Sequence, residues 1–250
     1  MKNNLFSVKD KIIIVTGAAN GIGEFLSMGL LKNGARVYRI DKKFKKSKKH
    51  VKLHDKICDV TNLQQVRKTC LEIFDKNKKI DVLINNAGIT LPGNPINYSL
   101  KSWMETIDVN LTGAFQFSQQ VLKYMKKNHS GSIINITSIN SEFGFPNNPA
   151  YVASKGGLKL LGKSLARDWG IYGIRVNNLG PGYIITDMTR KNYNNKKTRI
   201  ARQKNTMLNR WGKPHDLLGP CIFLSSDASS YITGQDIYVD GGWSANGLQL

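Results

Sequence analysis

The chain has 250 residues, 40% of them hydrophobic and 9% aromatic, which is enough for one large α/β domain with a full core and leads to the expectation of a single domain over residues 1–250. No run approaches the roughly 18 apolar residues of a membrane span and MKNNLFSVKD lacks an apolar signal core, so the expectation is a cytoplasmic protein with no membrane partner. The formal charge of +20 admits three readings: nucleic-acid binding, an anionic ligand, or a lysine-rich composition carried on a solvated surface; the lysines are spread and no basic motif is interleaved with aromatics, which leaves nucleic acid the least supported.

Taken in order, Lys11–Thr16 (KIIIVT) reads as a buried parallel strand that runs into Gly17-Ala-Ala-Asn20-Gly21-Ile22-Gly23. A helical pattern follows, with Ile22, Leu26, Leu30 and Leu31 apolar and Asn33-Gly34 as its C-cap, and then a second strand, Ala35–Ile40, ending in Asp41. Strand, glycine turn, helix, strand and acid make a dinucleotide-binding unit. In it Gly17 turns the chain off the strand, Gly21 lets backbone approach a pyrophosphate, Gly23 allows close helix packing, and the helix N-terminus offers N–H groups to phosphate. Asp41 would accept from ribose hydroxyls.

The spacing TGxxxGxG resembles that of the short-chain dehydrogenase/reductase family. This resemblance implies a Rossmann-like α/β sandwich with a parallel sheet of about seven strands and helices on both faces. The link after Asp41, KKFKKSKKHVKLHDKICDV, is crowded with lysine and departs from the family, whose members commonly place a helix here. Asp41 would repel a 2′-phosphate whereas Lys42 and Lys43 would attract one; with the carboxylate at the ribose position, NAD is the expected cofactor and NADP the less favoured one. Lys56–Val60 is the expected third strand, and Asp59-Val60 resembles the family's adenine-contacting pair. An amphipathic helix is expected over Thr61–Asn77, with Thr61 as N-cap. Ile80–Ile84 is the next strand, leading to Asn85-Asn86-Ala87-Gly88, which in the family lines the cofactor pocket.

Leu100–Asn128 supports a long helix distorted at Val109-Asn110-Leu111-Thr112-Gly113. The resemblance gives Asn110 a part in catalysis through backbone at that kink. Gly131–Thr137 is a strand with Ser138 just past its end, the edge at which open parallel sheets bind ligands. Tyr151 and Lys155 fall four apart on a helix after Pro149, which puts phenol and ammonium on one face. A cation there would favour phenolate and move the phenol toward neutrality. With Asn110, these residues match the family's catalytic set. The resemblance then implies hydride exchange at nicotinamide, with Tyr151 passing the substrate proton, Lys155 also holding nicotinamide ribose, and Ser138 polarising the reacting oxygen.

The helix runs on to Trp169; a strand, Ile174–Leu179, leads to Gly180-Pro181-Gly182, the family's turn beside nicotinamide, with Ile184 and Thr186 following as cofactor contacts. Asp187–Trp211 is a strongly basic segment expected to cover the substrate. A helix from Lys213-Pro214 and a last strand within Tyr231–Asp240 close the chain, and the resemblance implies a homotetramer. Asn140, with Ser138 and Tyr151, is the expected substrate contact, and Ser141 and Glu142 the wall beside it. Cys58, Cys70 and Cys221 form no disulfide or CxxC pattern and the four histidines show no ligand spacing, so no metal is expected.

The stretch NSEFGFPNNPAYVASKGG followed by GPGYIITDM is similar to sugar, polyol and sugar-acid dehydrogenases of the gluconate 5-dehydrogenase type. A small molecule is therefore the expected substrate, and the basic charge admits an anionic one. The alternative is a 3-oxoacyl-[acyl-carrier-protein] reductase, and a more distant one a nucleic-acid-binding or cofactor-sensing protein on the same scaffold.

Overall fold

The computed structural model describes residues 4–45 and 50–246. Seven parallel strands, β1 (Ile12–Thr16), β2 (Arg36–Asp41), β3 (Leu53–Ile57), β4 (Val82–Asn85), β5 (Gly131–Ile136), β6 (Ile174–Pro181) and β7 (Asp236–Val239), form one sheet in the order β3-β2-β1-β4-β5-β6-β7. The order reverses between β1 and β4, and at such a switch point a crevice opens at the carboxyl ends of the strands. Period-two alternation serves both faces: Ile12 and Ile14 join one core, with Phe117 and Val121, while Ile13 and Val15 join the other, with Leu26 and Leu30. The first face carries α2 (Leu63–Asn77), α4 (Gly113–Lys127) and α5 (Pro149–Trp169); the second carries α1 (Gly21–Lys32) and α8 (Leu218–Ser225).

Several expectations shift. The third strand spans 53–57 rather than 56–60, because β3 pairs in register with β2 through Leu53↔Val37 and Asp55↔Arg39. That pairing holds a buried Arg39 guanidinium against Asp55 through two 2.6 Å hydrogen bonds. The helix after it is capped by Asn62, whose side chain accepts from the Gln65 N–H, rather than by Thr61, which is held by Asp59. Of the lysine-crowded link, residues 46–49 lie outside the described residues, so the expected helix-free loop is seen only at its ends. Before α8 the chain makes a 3-10 turn at Pro214–Leu217, and only Asp236–Val239 of the closing motif is strand.

The distortion expected at Asn110 is a π-turn, Asp108–Thr112, between α3 (Leu100–Ile107) and α4. Such single-turn bulges release backbone groups from the helical ladder. Across the middle of the sheet the pairings align Asn85, Asn135, Asn178 and Asp236 in one row. Each amide donates to the next: Asn85 to Asn135 at 2.9 Å, Asn135 to Asn178 at 3.0 Å, and Asn178 to the Asp236 carboxylate at 2.7 Å. A Cβ on Gly162 would lie 2.4 Å from the Asn178 oxygen, so α5 can cover this row only with glycine there.

Candidate active site

A cleft of about 380 Å³ opens at the carboxyl edge of β1, β4, β5 and β6. At one end, Gly17 has φ +63° and its Cβ position lies 2.7 Å from Ala87 Cα, so the turns after β1 and β4 touch. Gly23 would meet the Gly17 carbonyl oxygen at 2.3 Å. Gly21 differs: its φ is +58° and a Cβ would meet nothing nearer than Thr186 at 4.0 Å, so the turn faces open space. Asn20 extends no capping side chain to α1, whereas α2 and α3 are capped by Asn62 and Ser99. The first N–H groups of α1 are thus left for a ligand at the cleft, and their partial positive charge suits an anion.

Asp41 closes this end: one carboxylate oxygen accepts from the Ala19 N–H at 2.9 Å and the other from the Lys42 N–H at 2.8 Å. Each oxygen keeps a lone pair for a hydroxyl. The Lys42 ammonium is held on Asp59 at 3.1 Å, and with the Thr61 hydrogen bonds this keeps Asp59 below the usual carboxylate range despite partial burial. Val60 and Val109 add apolar wall. Asn86 is fixed by donating to the carbonyls of Thr16 and Gly17, each at 2.9 Å, while the Thr16 hydroxyl receives the N–H groups of Asn86 and Ala87. An open glycine turn, an uncapped helix start and an acid at one flank fit a dinucleotide.

At the other end of the cleft stand Ser138, Tyr151 and Lys155, with Gly88 between the two halves. Ser138 and Lys155 are buried, and Tyr151 is half-buried. The Lys155 ammonium donates to the Ile136 carbonyl at 2.7 Å and sits 5.8 Å from the Tyr151 ring centroid. Burial lowers Lys155 to about 8, and burial raises the Tyr151 phenol above its ordinary value, with only its Ser138 hydrogen bond acting the other way. The expected depression of Tyr151 by Lys155 is therefore absent from this structure: desolvation disfavours both charged forms, and the ammonium is spent on a carbonyl.

Pro181, Gly182, Ile184 and Thr186 line the same cleft, as do Gly17, Asn20, Gly21, Ile22, Asp41, Asn86 and Ala87. Four of the residues selected from the sequence as cofactor, catalytic or substrate contacts do not, nor do Ser141 and Glu142 of the expected wall. Gly23 packs beneath the turn, and Asp59 lies behind Lys42. Asn110 is fully buried, its amide bonded to the Ile89 backbone at 2.8 and 3.0 Å and to the Ser154 hydroxyl at 3.0 Å. Asn140 is absent from the lining and gives its backbone N–H to Ser138 Oγ at 3.1 Å. Glu142, expected as substrate wall, turns instead to Lys159 and the Tyr238 hydroxyl. The sequence reading missed the Ile136 carbonyl that anchors Lys155, and Glu105 and Met188 on the cleft wall. A backbone acceptor leaves no side-chain signal, and the other two carry no motif.

A doubly wound parallel sheet with this cleft at its switch point defines a nucleotide-binding scaffold. A family model described as enoyl-(acyl carrier protein) reductase matches residues 17–244. Gluconate 5-dehydrogenase of Gluconobacter oxydans is 35% identical over 96% of this chain and 96% of its own. A 3-oxoacyl-[acyl-carrier-protein] reductase of Thermotoga maritima is likewise 35% identical, over 94% and 98%. The crystal structure of a gluconate 5-dehydrogenase from Burkholderia cenocepacia in complex with NADP and tartrate is 32% identical, covers 97% of this chain and 98% of that one, and superposes with a TM-score of 0.91. The chain belongs to the short-chain dehydrogenase/reductase family. It is an oxidoreductase that acts on CH–OH groups with a pyridine nucleotide. No helix among the described residues is long and apolar enough to cross a membrane.

Proposed function

We propose that this enzyme exchanges a hydride between a pyridine nucleotide and a secondary alcohol or ketone of a sugar, polyol or sugar acid, as the gluconate 5-dehydrogenases of similar sequence do by their names. The observation that carries the site assignment is the meeting of Ser138, Tyr151 and Lys155 in the cleft that also holds the open glycine turn. When bound, the nucleotide supplies the hydride acceptor or donor. Tyr151 moves the proton to or from the substrate oxygen, and Ser138, which lines the same end of the cleft, polarises that oxygen. Lys155, buried and titrating near 8, is close enough to neutrality to relay a proton. The π-turn at Asn110 supports a backbone role there, while its side chain braces Ile89 and Ser154.

NAD is the proposed cofactor, on the Asp41 carboxylate and on a Lys42 ammonium already engaged by Asp59. The NADP named in three neighbouring structures supports the phosphorylated form as the second reading. A cytoplasmic homotetramer built from one domain completes the proposal. The Thermotoga relative, as similar as the gluconate enzymes, supports 3-oxoacyl thioester reduction as the alternative activity. Tyr151→Phe tests the site: kcat is expected to fall by about 10²–10⁴ with nucleotide affinity retained. Near-normal turnover in the variant would refute the assignment.

A further inference from the structure

The basic segment that leaves the cleft wall at Asp187, Met188 and Thr189 holds α6 (Arg190–Asn194) and α7 (Lys196–Lys204), and its arginines are not equivalent. Arg210 makes a two-pronged bond with Asp216 at 2.8 and 3.0 Å, and Arg190 lies 3.5 Å from Asp187. Arg202 on α7 has rings instead. Its guanidinium carbon stands 4.5 Å from the Tyr183 ring centroid, 5.5 Å from that of Phe145 and 5.8 Å from that of Trp211. It is half-buried, yet it has no ion pair or hydrogen bond among the described residues.

The neighbouring carboxylates are engaged elsewhere. Glu142 holds Lys159 and the Tyr238 hydroxyl, Asp216 holds Arg210, and Asp240 accepts the N–H groups of Gly242 and Ser244. The rings come from segments that flank the cleft: Tyr183 itself lines a second cavity with Tyr238 and Asp240, between Gly182 and Ile184 of the cleft wall, and Phe145 belongs to the loop that joins Ser138 to Tyr151. Trp211 donates its indole N–H to the Arg199 carbonyl at 3.0 Å and so pins α7 against this cluster.

Stacking satisfies the faces of a guanidinium but not its edge, where five N–H donors lie in one plane. Rings that hold the plane still leave a fork matched to a carboxylate and already ordered for it. We propose that Arg202 binds the carboxylate of the substrate, with the surrounding aromatic faces receiving its carbon chain. The substrate class is then the sugar acid rather than the neutral sugar or polyol. This inference rests on the sugar-type reading of the site given above.

D-Gluconate and D-glucitol test it, since they differ by a carboxylate against a hydroxymethyl end. The measurements use the full chain with saturating nucleotide and compare the wild type, Arg202→Met and Arg202→Lys. Kinetics give kcat and KM, and calorimetry gives Kd for each sugar on the nucleotide-loaded protein. Arg202→Met should raise KM and Kd for gluconate at least about ten-fold, with kcat and nucleotide affinity little changed. Arg202→Lys, which keeps the charge and most of the stem, should recover part of that loss. Values for glucitol should stay near those of the wild type.

Equal losses for both compounds would reduce Arg202 to a fastening of the lid and overturn the inference, as would an unchanged gluconate KM or a wild-type preference for glucitol. Turnover and binding of neither compound would remove the sugar reading, and the inference with it.

Discussion

The two ends of the cleft are built by different physics. The nucleotide end is a backbone construction: Gly17, Gly21 and Gly23 are set by φ and by the near contact of two turns, and Asp41 is positioned by two N–H groups. The substrate end is assembled from side chains of distant segments, in which Phe143 and Tyr183 each pack against Trp243 with rings 5.0 and 6.2 Å apart, and Arg202 sits among Phe145, Tyr183 and Trp211. Backbone geometry tolerates almost no change at its fixed points, whereas a side-chain assembly can be rebuilt for another ligand.

Substitutions can break that contrast. The largest effect is expected at the glycine turn, where Gly23→Val would drive a side chain into the Gly17 carbonyl and Asn86. A loss of more than about 3 kcal/mol in denaturant unfolding is expected, together with nucleotide binding. A milder loss would show that the turn is less rigid than the contact distances indicate.

Between the two ends runs the amide row, and Asn135→Leu interrupts it at the centre. It leaves the Asn85 donor and the Asn178 oxygen without the partners they have at 2.9 and 3.0 Å, both in a buried layer. Unfolding free energy should fall by about 1–3 kcal/mol. Activity should fall with stability rather than ahead of it, which assays below the shifted midpoint can check.

Smaller again is Asp41→Asn. Loss of the charge should shift the ratio of NAD to NADP affinity by about ten-fold toward NADP, measured by calorimetry. An unchanged ratio would move the discrimination from Asp41 to the lysines beside it.

The smallest effect is a slope with pH. Burial brings Lys155 to about 8 in the folded chain, against 10.5 when unperturbed. Between those values the unfolded chain holds a proton there that the folded chain has released, so this group's contribution to stability rises with pH; below 8 its burial penalty is complete. Relative to Lys155→Met, the wild type should gain stability between about pH 8 and about pH 10.5 in paired denaturant titrations. A gap that stays constant would mean the ammonium is better solvated than its burial implies.

The same contrast explains what the amino-acid sequence made legible. TGAANGIG is contiguous, and its glycines stand at one turn between a strand and a helix, so the nucleotide end could be read without knowing the register of any strand. Ser138, Tyr151 and Lys155 were legible because a strand end and one helical turn place them. Arg39 with Asp55 and the row from Asn85 to Asp236 depend on cross-strand register, which the misplaced bounds of the third strand would have spoiled. Glu142 turned away from the cleft because Lys159 and Tyr238, on an adjoining helix and strand, offered it better partners. The direction of the Tyr151 shift needed burial as well as spacing, and only folding supplies that.

Nicotinamide absorbance, followed with sugar acids, polyols and 3-oxoacyl thioesters under both nucleotides, tests the proposed activity most directly. The expected result is turnover of sugar acids, faster with NAD than with NADP. Turnover confined to 3-oxoacyl thioesters would contradict it, and the substrate end of the cleft would then have to be read as a site for an acyl chain.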